Sequence, residues 1–198
     1  MAFEPKNFDN LLGIPGFSDQ ILKNHFTLYQ GYVTNVNKLT DSISAMSKEG
    51  KASSPEYAEL KRRFGWEFNG MRLHELYFGN MKKDGFALSS ASALKQKVVK
   101  DFGSLDAWEK EFRATGAMRG IGWTILCYDK VSDKLINIWV NEHDVGHIVG
   151  AEPLLVMDIF EHAFMLDYGT KRADYINAFF GTIDWDTVSM RFDSAKKE

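Results

Sequence analysis

Apolar and aromatic residues recur at three- and four-residue steps through the first half of the chain, a pattern typical of amphipathic helices. One run extends from Ile21 to about Met46, and Ser18 precedes it as a candidate N-terminal cap. The pattern breaks over 48–54, and a second helical run covers 56–82. The spacing therefore predicts two long antiparallel helices joined by a short connection.

The second half of the chain mixes helical and strand patterns. Ser104 is a candidate cap for a helix that turns Trp108 and Phe112 inward. Two runs of β-forming residues on either side of a polar turn predict an antiparallel hairpin. The predicted helices are 90–102, 105–115, 153–168, 173–180 and 185–192, and the predicted strands are 123–128 and 134–140.

The composition is that of a packed globular protein. Of 198 residues, 44% are hydrophobic and 14% are aromatic, and only 4 are prolines. A net charge of −3 offers no basic surface for nucleic acid or anionic lipid, so neither is an expected partner. The single cysteine, Cys127, excludes an intramolecular disulfide and suits a reducing compartment. Residues 1–12 contain no apolar stretch suited to export or membrane spanning, and we expect a cytoplasmic protein.

Carboxylate and imidazole side chains occur together in an apolar segment near the carboxy terminus. Asp158 and His162 lie four residues apart, and in the predicted helix 153–168 they would share one face. That donor pair suits iron or manganese better than the thiolate-rich sites of structural zinc. His25 and His74 lie in aromatic stretches of the two long predicted helices. Each of these residues alone is more often a paired core residue than a ligand, so the evidence is their joint occurrence.

Several motifs resemble those of the iron/manganese superoxide dismutase family, over nearly the whole chain. Residues 32–39 (YVTNVNKL) resemble its first-helix motif, and residues 120–123 (GIGW) resemble the motif that opens its first strand. The carboxy-terminal signature is matched by 158–162 (DIFEH), 166–168 (LDY), 171–176 (KRADYI) and 184–185 (DW). The resemblance implies an α+β fold with two domains. A long helical hairpin would form the N-terminal domain, 1–86, and helices around a small three-stranded antiparallel sheet would form the C-terminal domain, 87–198.

The resemblance also implies an activity, a cofactor and an assembly. Family members convert two superoxide radicals into dioxygen and hydrogen peroxide in a ping-pong redox cycle. The implied cofactor is one iron ion per subunit, with manganese or either metal as the alternative, and the implied assembly is a homodimer or a tetramer of two dimers. The implied roles are metal ligation by His25, His74, Asp158 and His162; solvent hydrogen bonding and proton relay by His143 and Tyr32; pocket walls from Trp123 and Phe160; a contact of Glu161 with a ligand histidine of the partner subunit; and steering of superoxide by Lys171 and Arg172.

The chain departs from the common family pattern around the metal-bound solvent. Gly70 stands where many members have a glutamine that contacts this solvent. We expect His143, from the loop after the sheet, to make that contact, as in a subgroup with a loop histidine. Gly70 would leave room for its imidazole.

Further departures concern the gateway and the dimer interface. Tyr32 follows His25 by seven residues instead of the usual eight, which predicts a regular helix without a π-bulge. Met165 replaces a tyrosine that lies across the dimer interface, and Phe160 stands where tryptophan is common. These changes bear on proton delivery more than on metal binding.

Two other functions stay open from the sequence alone. A chain that kept this fold and lost its activity would be a non-catalytic metal-binding or interaction protein, although retention of all four ligand-type residues argues against that. A di-metal carboxylate helical bundle needs paired Glu-x-x-His motifs on facing helices, and the chain lacks them.

Overall fold

A computed structural model describes residues 2–197 of the protein. Its helices are α1 (Asp19–Lys48), α2 (Pro55–Gly79), α3 (Ala93–Phe102), α4 (Leu105–Gly116), α5 (Met165–Tyr168), α6 (Arg172–Phe180) and α7 (Trp185–Lys197). Its strands are β1 (Gly122–Asp129), β2 (Lys134–Asn141) and β3 (Ala151–Asp158), and short 3₁₀ helices cover Asp9–Leu11 and Glu161–Ala163. Within the described residues, none of the helices has an apolar stretch of the length needed to cross a membrane.

The long helices α1 and α2 pack side by side as a hairpin, and each begins at a serine cap. The Ser18 hydroxyl accepts a hydrogen bond from Ile21 N at 3.1 Å, and the Ser54 hydroxyl accepts one from Tyr57 N at 3.2 Å. Each bond satisfies an amide that the start of a helix leaves unpaired, and such a cap typically contributes about 1 kcal/mol. The α1 helix is regular from end to end, which confirms the prediction of an unbulged helix.

An antiparallel sheet with the strand order β2-β1-β3 forms the centre of the second half. In the central strand, Trp123 pairs with Val140 of β2 on one side and with Asp158 of β3 on the other. Helix α2 packs against β3, so the hairpin lies beside the strand that ends at Asp158. The predicted fold class, a helical hairpin followed by a three-stranded sheet among helices, is confirmed.

The segment from Pro153 to Tyr168 is not a helix, and this prediction was wrong. Its first part belongs to β3, Phe160 is extended, and only Met165–Tyr168 is α-helical. The run LLVM inside β3 is buried throughout. A short apolar run of this kind has no periodicity that separates a buried strand from a buried helix. Pairing with β1 along the whole of β3 decided the outcome against the helical preference of leucine and methionine.

Other elements lie close to their predicted positions. Helix α3 begins at Ala93, later than predicted, because the Ser92 hydroxyl caps it by accepting from Lys95 N at 3.1 Å. Trp108 and Phe112 on α4 are fully buried, as expected.

A buried asparagine joins the hairpin to the sheet. The Asn80 side chain, just after α2, accepts a hydrogen bond from Val156 N at 2.9 Å and donates one to Val156 O at 3.2 Å. An unpaired buried amide is costly, so this reciprocal pair fixes the end of α2 against β3. The domain division at residue 86 stays a prediction.

Candidate metal centre

Four side chains with metal-ligating atoms converge where the helical hairpin meets the sheet. His25 comes from α1, His74 from α2, Asp158 from the end of β3, and His162 from the 3₁₀ helix that follows. One ligand atom from each residue lies within 4.8 Å of all the others. His25, His74 and Asp158 are buried, and the His162 side chain is 28% exposed. The residues predicted as ligands are thus brought together by three segments far apart in sequence.

Asp158 occupies the centre of this cluster. Its Oδ2 atom lies 3.1 Å from His25 Nε2, 3.0 Å from His162 Nε2 and 3.6 Å from His74 Nε2. Its Oδ1 atom accepts a hydrogen bond from Phe160 N at 2.8 Å. Burial raises the pKa of Asp158, but the attraction and hydrogen bonds of His162 and His25 outweigh burial and hold the pKa well below its ordinary value. The group is therefore a carboxylate at neutral pH.

The contact between Asp158 and His162 arises differently from the way predicted. The two residues do not occupy adjacent turns of one helix; the chain leaves β3 at Asp158, stays extended through Phe160, and turns back in the 3₁₀ helix. Tyr175 on α6 fixes this exit, because its hydroxyl donates to the Asp158 carbonyl at 2.5 Å.

His74 presents a free nitrogen to the cluster. Its Nδ1 atom lies 2.5 Å from the Gly70 carbonyl, an acceptor only, so Nδ1 carries the proton and Nε2 is left with a lone pair. Within the described residues, Nε2 is buried and makes no hydrogen bond. Burial, followed by repulsion from His25, lowers the pKa of His74 well below its ordinary value. A neutral imidazole whose other nitrogen is fixed by a carbonyl is the usual form of a metal ligand.

The donor set fits iron or manganese. Burial lowers the pKa of His25 as well, against the opposing effect of its bond to Asp158, so this imidazole is also neutral. Ligation requires deprotonated carboxylate and neutral imidazole, and both are present. Three imidazoles and one carboxylate, without a thiolate, suit these two metals. Cys127, the single cysteine, lies in β1 and is not part of the cluster.

A second group of polar aromatic side chains borders the cluster. Trp123 Nε1 lies 3.0 Å from His143 Nδ1, and His143 Nε2 lies 2.8 Å from the Tyr32 hydroxyl. An indole nitrogen can only donate, so His143 Nδ1 is an acceptor and the ring proton resides on Nε2. His143 therefore donates to Tyr32, and the Tyr32 hydroxyl keeps its own proton free to donate elsewhere.

Burial keeps both members of this pair neutral. It lowers the pKa of His143 to about 4, with Asp158 acting in the opposite direction and His162 in the same one. Burial, followed by repulsion from Asp158 and Glu67, raises the pKa of Tyr32 well above its ordinary value. The single proton on His143 Nε2 is therefore present throughout the neutral range.

Gly70 makes room for a different ring from the one predicted. A β-carbon at Gly70 would lie 2.6 Å from Tyr32 Cδ1 and 2.7 Å from Tyr32 Cε1. The space is filled by the phenol from α1, and His143 reaches the site beyond it, at the Tyr32 hydroxyl. The expectation that Gly70 accommodates the imidazole of His143 was therefore wrong, because the α1–α2 packing brings Tyr32 into that gap first.

Two aromatic side chains, Trp123 and Phe160, pack against histidines of the site. The fully buried Trp123 ring packs edge-on against His74, with centroids 4.9 Å apart. Phe160 stacks on His162 at 5.0 Å and lies 4.8 Å from His143. Apolar surroundings of this kind limit access of water and strengthen the electrostatic interactions inside.

A sequence profile described as iron/manganese superoxide dismutases, C-terminal domain, matches residues 90–191, which is more than half of the chain. The chain belongs to the iron/manganese superoxide dismutase family. This confirms the family expected from the sequence motifs.

Relatives within the iron/manganese superoxide dismutase family carry names with either metal. An iron superoxide dismutase from Aquifex pyrophilus is 39% identical, with coverage of 98% of this chain and 92% of the relative. A manganese superoxide dismutase from Haloferax volcanii is 36% identical, over 91% of this chain and 89% of the relative. An iron superoxide dismutase from Cupriavidus metallidurans is 33% identical, over 93% of each chain.

Three charged residues of the superoxide dismutase motifs lie outside the group of converging ligand atoms. Glu161 and Lys171 are exposed. Arg172 donates to the carbonyls of Met118 at 2.6 Å and Gly120 at 2.9 Å, and so fastens the turn before β1. In the monomer, Arg172 thus has a structural contact in addition to the steering role expected of it.

Two residues that the sequence analysis did not single out also border the site. Trp66 on α2 lies 4.5 Å from the His143 ring and 5.6 Å from the Tyr32 ring, measured between centroids. Its indole Nε1 donates to the Glu142 carboxylate at 2.9 Å. The available signal was the spacing: residues 66, 70 and 74 repeat at four-residue steps on one face of α2.

Proposed function

We propose that this chain is a superoxide dismutase that converts two superoxide anions and two protons into dioxygen and hydrogen peroxide. The observation that carries the proposal is the buried His74 Nε2, which makes no hydrogen bond in the described part of the chain and faces the Asp158 carboxylate inside a cluster of four ligand-type groups. A buried polar atom without a partner is costly, and a bound cation would satisfy it. Membership of the family supports the same reading.

In this proposal, His25, His74, Asp158 and His162 hold one ion. A bound ion would supply the one-electron redox chemistry that dismutation requires. The Asp158 carboxylate provides the negative charge of the ligand set, and Gly70 fixes the orientation of His74 through its carbonyl. Trp123 and Phe160 exclude water from the ligand atoms.

Tyr32 and His143 are proposed to deliver protons. Because Trp123 fixes the tautomer, His143 has one ring proton, and it is donated to the Tyr32 hydroxyl. The Tyr32 O–H is then the group free to donate toward the ligand cluster, whose His74 ring stacks on the phenol at 5.1 Å. The family resemblance implies a hydrogen bond from His143 to a solvent molecule, and this bond would have to use the same Nε2 proton. A glutamine amide has two N–H protons and could make both bonds.

The proposed ion is iron, with manganese or either metal as the alternative. The loop histidine and Val156, two residues before Asp158, favour iron by resemblance. Both metals accept this donor set, and selectivity depends on the surroundings of the ligands and on metal supply. Relatives named for iron and for manganese are similarly close to this chain.

We also propose that the protein forms a homodimer through the surface around Glu161. This glutamate is exposed, and Met165 and Leu166 beside it are 46% and 57% exposed although apolar. Exposed apolar residues next to a charged residue are typical of an interface region. Light scattering on the purified protein should give twice the 22.6 kDa chain mass, or four times that mass for a tetramer.

Two further assignments belong to the proposal. Lys171 and Arg172 would attract superoxide electrostatically, so replacing Lys171 by glutamine should lower kcat/KM at low salt and leave it little changed at high salt. A cytoplasmic location is supported by the single buried cysteine, and cell fractionation would test it.

The test of the proposed function is dismutase activity after separate reconstitution with iron and with manganese, with bound metal quantified in each sample. Activity that scales with one or both metals is the expected result and identifies the working ion. Stoichiometric metal without activity would favour the non-catalytic metal-binding alternative.

A further inference from the structure

The loop that carries His143 is held in a strained conformation. Glu142 has a φ of +49°, in the left-handed region that side chains other than glycine rarely adopt. Among the described residues, Asp133 is the one other non-glycine residue with a positive φ. A strained residue next to a functional side chain persists only where surrounding contacts hold it.

The contact that holds Glu142 comes from the other half of the protein. Trp66 Nε1, on α2, donates to Glu142 Oε2 at 2.9 Å. The Trp66 ring packs on His143 and on Tyr32, and the Arg63 guanidinium lies 3.8 Å from the indole centroid. Arg63 is itself fixed by an ion pair with Glu67 at 2.7 Å. The indole is therefore held on its own helix, independently of the loop.

The remaining contacts of the loop are internal to its own half. Glu142 N donates to Ile121 O at 3.2 Å, and Asn141 and Val145 exchange backbone hydrogen bonds of 2.8 and 3.3 Å. His147 Nε2 donates to the His143 carbonyl at 2.9 Å. Within the described residues, only the Trp66–Glu142 bond and the Tyr32–His143 bond link this loop to the hairpin by hydrogen bonds.

We propose that Glu142 and Trp66 are positioning residues for proton delivery: their hydrogen bond seats His143 against Tyr32. The proposal rests on the proposed function for its kinetic consequence. Without the bond, the loop loses its link to α2 at Glu142, and the distance from His143 Nε2 to the Tyr32 hydroxyl is no longer fixed. Within residues 2–197, neither Glu142 nor Trp66 hydrogen-bonds through its side chain to any of the four clustered residues, so the effect would fall on turnover and leave metal binding intact.

Two single variants separate positioning from stability. Glu142→Gly removes the carboxylate and relieves the positive φ, so its thermal unfolding temperature should not fall. Trp66→Phe keeps an aromatic wall and removes only the N–H donor. Each should lower kcat about tenfold at unchanged metal content, as is usual when an outer hydrogen bond of a metal site is lost. Glu142→Gln, whose amide oxygen can still accept, should retain most of the turnover.

The double variant and a control complete the test. If one bond is responsible, the double variant Glu142→Gly/Trp66→Phe should be no slower than the slower single variant. Trp139→Phe is the matched control, because the Trp139 indole nitrogen makes no hydrogen bond within the described residues. It should leave kcat unchanged.

Hydrogen exchange supplies a readout that does not depend on activity. Amides of 141–147 should exchange faster in both single variants of the metal-loaded protein, with α3 and α4 unchanged. Unchanged loop exchange, unchanged kcat, or additive losses in the double variant would overturn the proposal. An inactive but metal-loaded wild type would instead refute the proposed function, and loop exchange would still decide the structural part of the inference.

Discussion

Trp123 and His143 are joined by a hydrogen bond in which the indole Nε1 lies 3.0 Å from the imidazole Nδ1. Because the indole has no lone pair to offer, this bond determines which nitrogen of His143 holds the proton. The direction of the next bond, from His143 to Tyr32, follows from it. Trp123 on β1 thus determines that the Tyr32 hydroxyl on α1 accepts a hydrogen bond from His143 and keeps its own proton available for donation.

Replacement of His143 should lower turnover most where the new side chain can no longer accept from Trp123 and donate to Tyr32. His143→Gln can still accept from Trp123 and donate to Tyr32, whereas His143→Leu can do neither. We expect about a tenfold to hundredfold loss of kcat in the leucine variant and a smaller loss in the glutamine variant. Steady-state kinetics at matched metal content would show it, and equal losses in the two variants would contradict the directional hydrogen-bond chain.

A methyl group at Gly70 should disturb Tyr32. The added β-carbon would lie 2.6 Å from Tyr32 Cδ1, and overpacking of this kind costs about 1–3 kcal/mol. Gly65→Ala on the same helix is the control: no atom of the described residues beyond the helix's own backbone lies within 4 Å of the added β-carbon, and the substitution should stabilise the fold by about 0.5–1 kcal/mol. Urea unfolding of both variants measures the difference, and a stable Gly70→Ala protein would show that the phenol moves aside at little cost.

The Cys127 thiol should be inert in the folded protein. It is buried in the central strand, and burial, followed by the negative charge of Glu152, raises its pKa to about 12. Thiolate is the reactive form, so a disulfide reagent at pH 8 should modify the native protein only over the timescale of unfolding. In guanidinium chloride, one thiol per chain should react within minutes. Fast modification of the native protein would place Cys127 at the surface.

The charge of Asp184 should stabilise the fold above pH 4. Burial raises its pKa, but the ion pair with Lys82 at 2.9 Å and the bond from Thr187 at 2.9 Å outweigh burial and lower the pKa below its ordinary 3.8. A lowered folded pKa means that the stabilisation is complete above the unfolded pKa and is lost as pH falls through the folded one. Asp184→Asn should therefore be less stable than wild type by about 1 kcal/mol at pH 7. The difference in free energy of unfolding between the two proteins should disappear as the pH falls below 3.8. A difference that does not change with pH would exclude the charge of Asp184 as its origin.

Removal of the metal should lower the unfolding temperature, and only iron or manganese should restore it. Chelation leaves His74 Nε2 buried and, among residues 2–197, without a hydrogen-bond partner. A ligand that binds only the folded state stabilises that state in proportion to the logarithm of the ligand concentration over Kd. Iron or manganese should raise the unfolding temperature, whereas magnesium, which prefers oxygen ligands and bound water, should not. His74→Ala should abolish the shift, and a shift that persists in this variant would place the ion elsewhere.

The sequence predicted the long helices and the first two strands because their hydrophobic periodicity is strong and local. It failed at β3, where Leu154 to Met157 are apolar without alternation and only pairing with β1 distinguishes strand from helix. Asp158 and His162 do lie together, but through a strand exit and a 3₁₀ helix and not through the helical spacing that the sequence predicts. The family motifs identified these residues, and the local geometry had to come from the fold.

The polar surroundings of the site were less accessible to sequence reasoning. The Tyr32–His143 and Trp66–Glu142 bonds join residues 111 and 76 positions apart, and no local pattern encodes such pairs. Gly70 shows the limit well: its lack of a side chain signalled a close approach, but the identity of the neighbour depended on how α1 packs on α2.

His25 and Asp158 are 133 positions apart, which gives the assembly of the site an order in time. At about 5–20 residues per second, a ribosome takes roughly 7 to 27 seconds to add the chain between them. Over that interval, the nascent chain contains at most two of the four clustered residues, His25 and His74, and lacks the carboxylate of Asp158. The complete set of four clustered residues therefore exists only in a nearly finished chain, and the proposed site cannot form at an earlier stage of synthesis.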